Sequence, residues 1–96
     1  MANAEYGQWI ARGRTHQGEG RPIDAMLCYH RALRADARAP DALFHLGEVE
    51  WQLGRHGNAI AAWREALRLY PGMLAPAQAL AEALLSTGDP AGAAKA

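Results

Sequence analysis

The stretch Pro40–Gly72, PDALFHLGEVEWQLGRHGNAIAAWREALRLYPG, decides the fold, because its small and apolar positions recur 34 residues away. Gly54 has counterparts in Gly20 and Gly88, and Ala59 has counterparts in Ala25 and Ala93. The same offset carries Gly13 onto Gly47, Ala32-Leu33-Arg34 onto Ala66-Leu67-Arg68, and aromatic Tyr29 onto aromatic Trp63. A fixed period of this length marks stacked supersecondary units, none of which buries its apolar face alone. Such a molecule works through a surface, and a catalytic pocket is the less expected outcome.

Working outward, Asp41 is placed to cap a helix that carries Leu43, Leu46, Gly47 and Leu53, and Gly54 stops it. Ala59, Trp63, Ala66 and Leu67 then fall at i, i+4, i+7 and i+8, one apolar stripe closed by Pro71-Gly72. Upstream, the spacing predicts a helix from about Glu5 to Gln17, broken by Gly18 and Gly20. Pro22 suits the first turn of the next helix, whose stripe is Ala25, Tyr29, Ala32 and Leu33 and which fades near Asp36 before Pro40. Downstream, a third unit starts around Leu74, tolerates Pro76 in its first turn, and runs through Leu80, Leu84 and Leu85 to Gly88. Asp89-Pro90 opens a last helix that the chain leaves at Ala96. No segment alternates with period two, so no strand is expected. The expected fold is all-α, one domain over residues 1–96, with units at about 6–39, 40–73 and a shortened 74–96.

These residues resemble the tetratricopeptide repeat, a helix–turn–helix unit with the pattern W-x₂-L-G-x₂-Y, then A-x₃-F, then P. In the second unit Leu43 stands at the Trp place, Leu46-Gly47 match Leu-Gly, Ala59 and Trp63 match A-x₃-F, and Ala66 and Pro71 complete the match. In the first, Trp9, Gly13, Ala25, Tyr29 and Ala32 match, while Arg12 replaces the Leu and Ala37 the final Pro. The third contributes Ala77, Leu80, Ala81, Leu84, Gly88 and Ala93. The resemblance implies a short right-handed solenoid of about two and a half repeats. Gly13 and Gly47 then remove a side chain where paired helices cross, and Tyr29 and Trp63 fill the space beside them.

Composition narrows the functional classes. Ten acidic residues balance nine arginines and Lys95, so the overall field gives no case for nucleic acid or an anionic membrane as partner. A chain of 96 residues buries roughly 60–65% of its unfolded surface, which predicts ordinary or marginal stability. Cys28 stands alone, which removes an internal disulfide or a multi-cysteine zinc site. The start, Met1-Ala2-Asn3-Ala4-Glu5, lacks a basic and an apolar region, and no apolar run approaches a membrane span. A cytoplasmic location is the expectation.

No arrangement of catalytic or ligating residues emerges. His16, His30, His45 and His56 show no i, i+4 pair, so neither a metal nor another cofactor is expected. Cys28 and His30 point to different helical faces, and Cys28 reads as an inert helix residue. Gly13, Gly18 and Gly20 follow a helix and lack the G-K-[ST] ending of a phosphate loop. Thr15, Ser86 and Thr87 sit in no nucleophile motif, so no enzyme is expected. Arg31, Arg34, Arg38, Arg64 and Arg68 read as a solvated basic band, without interleaved aromatics.

In the family that the chain resembles, the first helix of each unit lines a concave groove for a peptide or helix. By that resemblance the groove takes Ile10, Arg14 and Gln17 from the first unit and Phe44, His45, Glu48, Trp51 and Gln52 from the second. The third adds Gln78, Glu82 and Leu85. Phe44, Glu48 and Trp51 form a stripe at i, i+4 and i+7, apart from the core stripe. The family's carboxylate clamp for chaperone C-termini needs Lys and Asn, then Asn, then Lys and Arg. Those places read Ile10 and Arg14, then His45, then Ala75 and Ala79, so at most Arg14 survives. The implied function is a non-enzymatic scaffold for a protein or peptide segment. Two alternatives stand beside it. One is a repeat fragment recruiting substrates for a larger transferase or kinase. The other is a homo-oligomerisation module that covers Leu74, Leu80, Ala81 and Leu84. One departure from the motif stands out: Glu50 occupies the Tyr place, where it either pairs with Arg12 or His16 across the repeat interface or reaches water past a thin core.

Overall fold

The computed structural model describes residues 2–87, with side chains from Glu5 onward. Five helices follow in order: α1 (Ala2–Gly18), α2 (Pro22–Ala35), α3 (Pro40–Gln52), α4 (His56–Leu69) and α5 (Leu74–Ser86). There is no strand among the described residues. Each helix packs on the next, and α1 also touches α3, which is the nearest-neighbour packing of an all-α solenoid. The expected stop at Gly88 and the helix opening at Asp89-Pro90, with Ala93, lie outside the described residues.

The period is visible first in the helix stops. Gly20 and Gly54 have φ of +74° and +79°, the left-handed region in which a side chain costs about 1–2 kcal/mol. Each lets the following amide reach back five residues: Arg21 N donates to His16 O and Arg55 N to Glu50 O, both at 2.8 Å. These paired bonds satisfy carbonyls that the helix ends would leave open and turn α2 and α4 back along their partners.

The small-residue stripes become the core. Ala25, Tyr29, Ala32, Ala59 and Ala66 are fully buried, and Trp63 is 4% exposed. Where α1 meets α2 and α3 meets α4 the glycine positions leave room for one ring each. A Cβ on Gly13 would overlap Tyr29, and one on Gly47 would overlap Trp63. The second core contribution comes from α3: Leu43, Leu46 and Val49 are buried, and Val49 joins Ala25, Tyr29 and Leu46 in the cluster that binds the first unit to the second. Tyr70 carries the same join to the rim, where its hydroxyl donates to the Arg38 carbonyl at 2.5 Å.

Four sequence-based expectations change. Asp41 is not the cap of α3: the helix begins at Pro40 with Ala39 as its N-cap, and Asp41 lies in the first turn. Pro40 fixes φ for an N1 position, which moves the start one residue upstream. Glu50 approaches neither Arg12 nor His16. Its Oε1 lies 3.7 Å from Arg55 Nη1, because the turn after Gly54 folds Arg55 back over the end of α3. Arg12 instead sits over the Trp9 ring at 5.0 Å, and Arg31 lies 4.9 Å from that ring, so the arginine band does include an aromatic. Finally, Leu80 and Leu84 are not left open, for both are buried against Ala59 and Trp63 of α4. Leu74 and Leu85 are the exposed leucines of α5.

Candidate functional site

The site is built from the core outward through one chain of hydrogen bonds. The Tyr29 hydroxyl, at the end of a fully buried ring, donates to Gln17 Oε1 at 2.6 Å. That bond turns the Gln17 amide so that Nε2 donates to Glu48 Oε1 at 3.3 Å. His45 Nδ1 lies 2.8 Å from the same oxygen, and because a carboxylate only accepts, the ring carries its proton there. His45 also stacks on Tyr29, with centroids 5.6 Å apart. Side chains from α1, α2 and α3 thus fix one another before any ligand arrives.

This network sets the acid–base state of its members. Burial pushes Tyr29 up to about 12, with the Glu48 charge acting in the same direction. Burial also works to raise Glu48, but hydrogen bonds from His45 and Gln17, with the charges of His45 and Arg14, outweigh it. Its carboxyl is held below the usual value of 4.5. Glu48 is therefore an ionised and oriented carboxylate at neutral pH.

Glu48 opens onto a cleft of about 340 Å³ lined by Gln17, Glu48, Trp51, Gln52, Trp63, Ala79, Glu82, Ala83 and Ser86. The indole of Trp63 is anchored by Nε1 donating to the Phe44 carbonyl at 3.1 Å. Trp51 lies 6.1 Å from it and stacks on His56 at 3.9 Å. Trp51 and the edge of Trp63 supply its aromatic lining, and Gln17, Glu48, Gln52, Glu82 and Ser86, from α1, α3 and α5, supply its polar lining. A smaller recess alongside is lined by Arg14, Gln17, Gly18, His45 and Glu48.

Of the groove residues named from the sequence, Gln17, Glu48, Trp51, Gln52 and Glu82 line the main cleft, and Arg14 and His45 the recess. Ile10 packs against the core clusters around Tyr29 and Ala32, and Phe44 against the cluster of Trp63 and Leu80. Gln78 and Leu85 are exposed on α5 outside the lining of these cavities. Trp63, Ala79, Ala83 and Ser86 were missed by the sequence reading. The apolar stripe of α4 assigns Trp63 to the core, and its indole edge also reaches the cleft.

Other chemistry is sparse. Among the described residues no three His, Cys, Asp or Glu side chains gather as a metal site would require. Cys28 is buried, and burial raises its thiol pKa more than Arg12 and Arg31 lower it. No described helix is long and apolar enough to cross a membrane.

Stacked antiparallel helix pairs with an open, pre-ordered cleft define a helical-repeat protein. The chain belongs to the tetratricopeptide repeat family, whose model matches residues 10–73, two thirds of its length. No curated protein matches it. Among solved structures it is similar to MamA at 23% identity and a TM-score of 0.91, covering 95% of this chain and 53% of that one. It is also similar to the second TPR of Spaghetti (RPAP3) bound to the HSP90 peptide SRMEEVD, at 18% identity and TM-score 0.89, covering 95% and 84%. A third likeness is to the translocator chaperone SycD of Yersinia enterocolitica type III secretion, at 20% and 0.87, covering 94% and 68%. The chain spans about half the length of MamA.

Proposed function

We propose that this chain is a non-enzymatic interaction scaffold that holds an extended or helical segment of another protein in the cleft between α1, α3 and α5. The observation that carries the reading is the hydrogen-bonded series Tyr29–Gln17–Glu48–His45 beside the indole lining. Pre-ordered polar groups around an aromatic surface lower the entropy cost of binding and supply the residue types that dominate hot spots. The HSP90 peptide bound to the Spaghetti TPR and the secretion chaperone SycD support the same class of function.

In this reading Trp51 supplies apolar contact, and Gln17 and Gln52 bond the partner's backbone. Arg14 and Glu48 set its direction, with Phe44 and Ile10 supporting from behind. A partner so held contacts one cleft and little else, so an affinity near micromolar, about −8 kcal/mol, is expected. Peptides selected by display on the intact chain test it. Gln52→Trp fills the cleft from an exposed position and should weaken binding at least tenfold, whereas Arg64→Trp, on an exposed position of α4, should leave it unchanged. Equal binding by Gln52→Trp and the parent overturns the proposal.

A second reading, self-association through α5, is favoured by Leu74 and Leu85, which are 74% and 60% exposed. A mass that stays monomeric in light scattering across the concentration range removes it.

A further inference from the structure

We propose that the cleft selects a cationic segment, with one Lys or Arg side chain of the partner lying beside Trp51 and the edge of Trp63, between Glu48 and Glu82. This deepens the groove reading above and rests on it. The chain as a whole is neutral, yet the charged groups lining the main cleft are Glu48 and Glu82, both carboxylates. They come from different helices, α3 and α5, so an occupant of the cleft meets both.

Each carboxylate has capacity to spare. Glu82 is exposed and has no ion-pair partner among the described residues. Glu48 accepts from His45 and Gln17 through Oε1, and both bonds use that one oxygen. Of the chain's own basic side chains, Arg14 and His45 line the adjoining recess and not the main cleft, and His56 stacks on Trp51 without lining the cleft.

Shape agrees with charge. A cleft of about 340 Å³ lies at the small end of ligand sites and accommodates one long side chain. Lys and Arg bury an aliphatic stem against apolar surface while keeping the charged head beside polar groups. An acidic segment such as SRMEEVD, seen on the Spaghetti TPR, would set carboxylates against carboxylates here.

Fluorescent peptides from the display selection provide the test on the full chain. Lys or Arg should be enriched at one position, and replacing that residue by norleucine should weaken binding about tenfold. Glu82→Arg alters an exposed side chain, and unchanged circular dichroism verifies the fold. It should weaken binding by about tenfold or more and, in a repeated selection, shift the preference to Asp or Glu. Affinity for the parent should fall as salt rises. Peptides sensitive to Gln52→Trp but indifferent to Glu82→Arg overturn the cationic preference and leave the groove reading standing. Indifference to both overturns both.

Discussion

Replacing Gly47 by alanine adds a single methyl group and should cost about as much as a typical core truncation. The new Cβ would overlap Trp63 Nε1, with Cε2 at 2.6 Å and Cδ1 at 2.7 Å. Carbon contacts settle at about 3.5–4.0 Å, so the indole must retreat by about 1 Å. It has little room to do so, being 4% exposed and packed with Ala59, Leu80 and Leu84. Retreat also breaks the Nε1–H bond to the Phe44 carbonyl, leaving a buried donor unpaired at about 1–3 kcal/mol. Overpacking adds about 1–3 kcal/mol, and the better helix propensity of alanine returns about 1 kcal/mol. The net loss is about 1–5 kcal/mol, centred near 3. Since 1 kcal/mol shifts Tm by about 4–8 °C in a domain of this size, a fall of about 10 °C or more is expected. Gly57 is the internal control: it lies in the first turn of α4 with nothing within 4 Å of an added Cβ. Gly57→Ala should stabilise by about 0.5–1 kcal/mol. Urea melts followed by circular dichroism read both variants. If Gly47→Ala is as stable as the parent, the argument that this glycine exists for the indole is wrong.

Two further outcomes follow from the same structure. Glu50 is 5% exposed, its Oε1 lacks a hydrogen-bond partner, and its nearest cation, Arg55, is half-exposed. Replacing an under-satisfied buried carboxylate by an apolar group leaves Arg55 in water, so Glu50→Leu should stabilise by about 1 kcal/mol in the same urea melts, and a loss of similar size would contradict this account of the site. Folding holds the Glu48 carboxyl below 4.5, so its contribution to stability is present above that pH and is lost as pH falls through the lower folded value. Glu48→Gln should therefore flatten the acid limb of the stability profile, measured by denaturant melts between about pH 2 and 6.

Much of the fold was legible because its determinants are local or periodic. Gly20 and Gly54 stop helices through backbone conformation alone, and Ala25, Ala59, Ala32 and Ala66 declare a close crossing by their size. The exceptions depended on geometry across units. The repeat register offers Arg12 and His16 to Glu50 across the unit interface, but the residue that reaches it lies five positions on, brought back by the turn at Gly54. The pairing of Arg12 and Arg31 over Trp9 needs the register of α1 against α2, which spacing within a helix does not supply. For the candidate site, the family register identified Gln17, Glu48 and Trp51 as positions on one side. It did not reveal the hydrogen bonds that run from Tyr29 through Gln17 to Glu48. A single side chain, Trp63, serves both the core and the cleft, and a sequence stripe assigns it only to the first.

The most direct test of the central claim is amide chemical-shift mapping of a display-selected peptide on the isotope-labelled chain. The largest changes should cluster at Gln17, Glu48, Trp51, Gln52 and Glu82, around the main cleft. Changes centred instead on His30, Arg55, Asn58 and Ala61, which line a separate cavity between α2, α3 and α4, would contradict it.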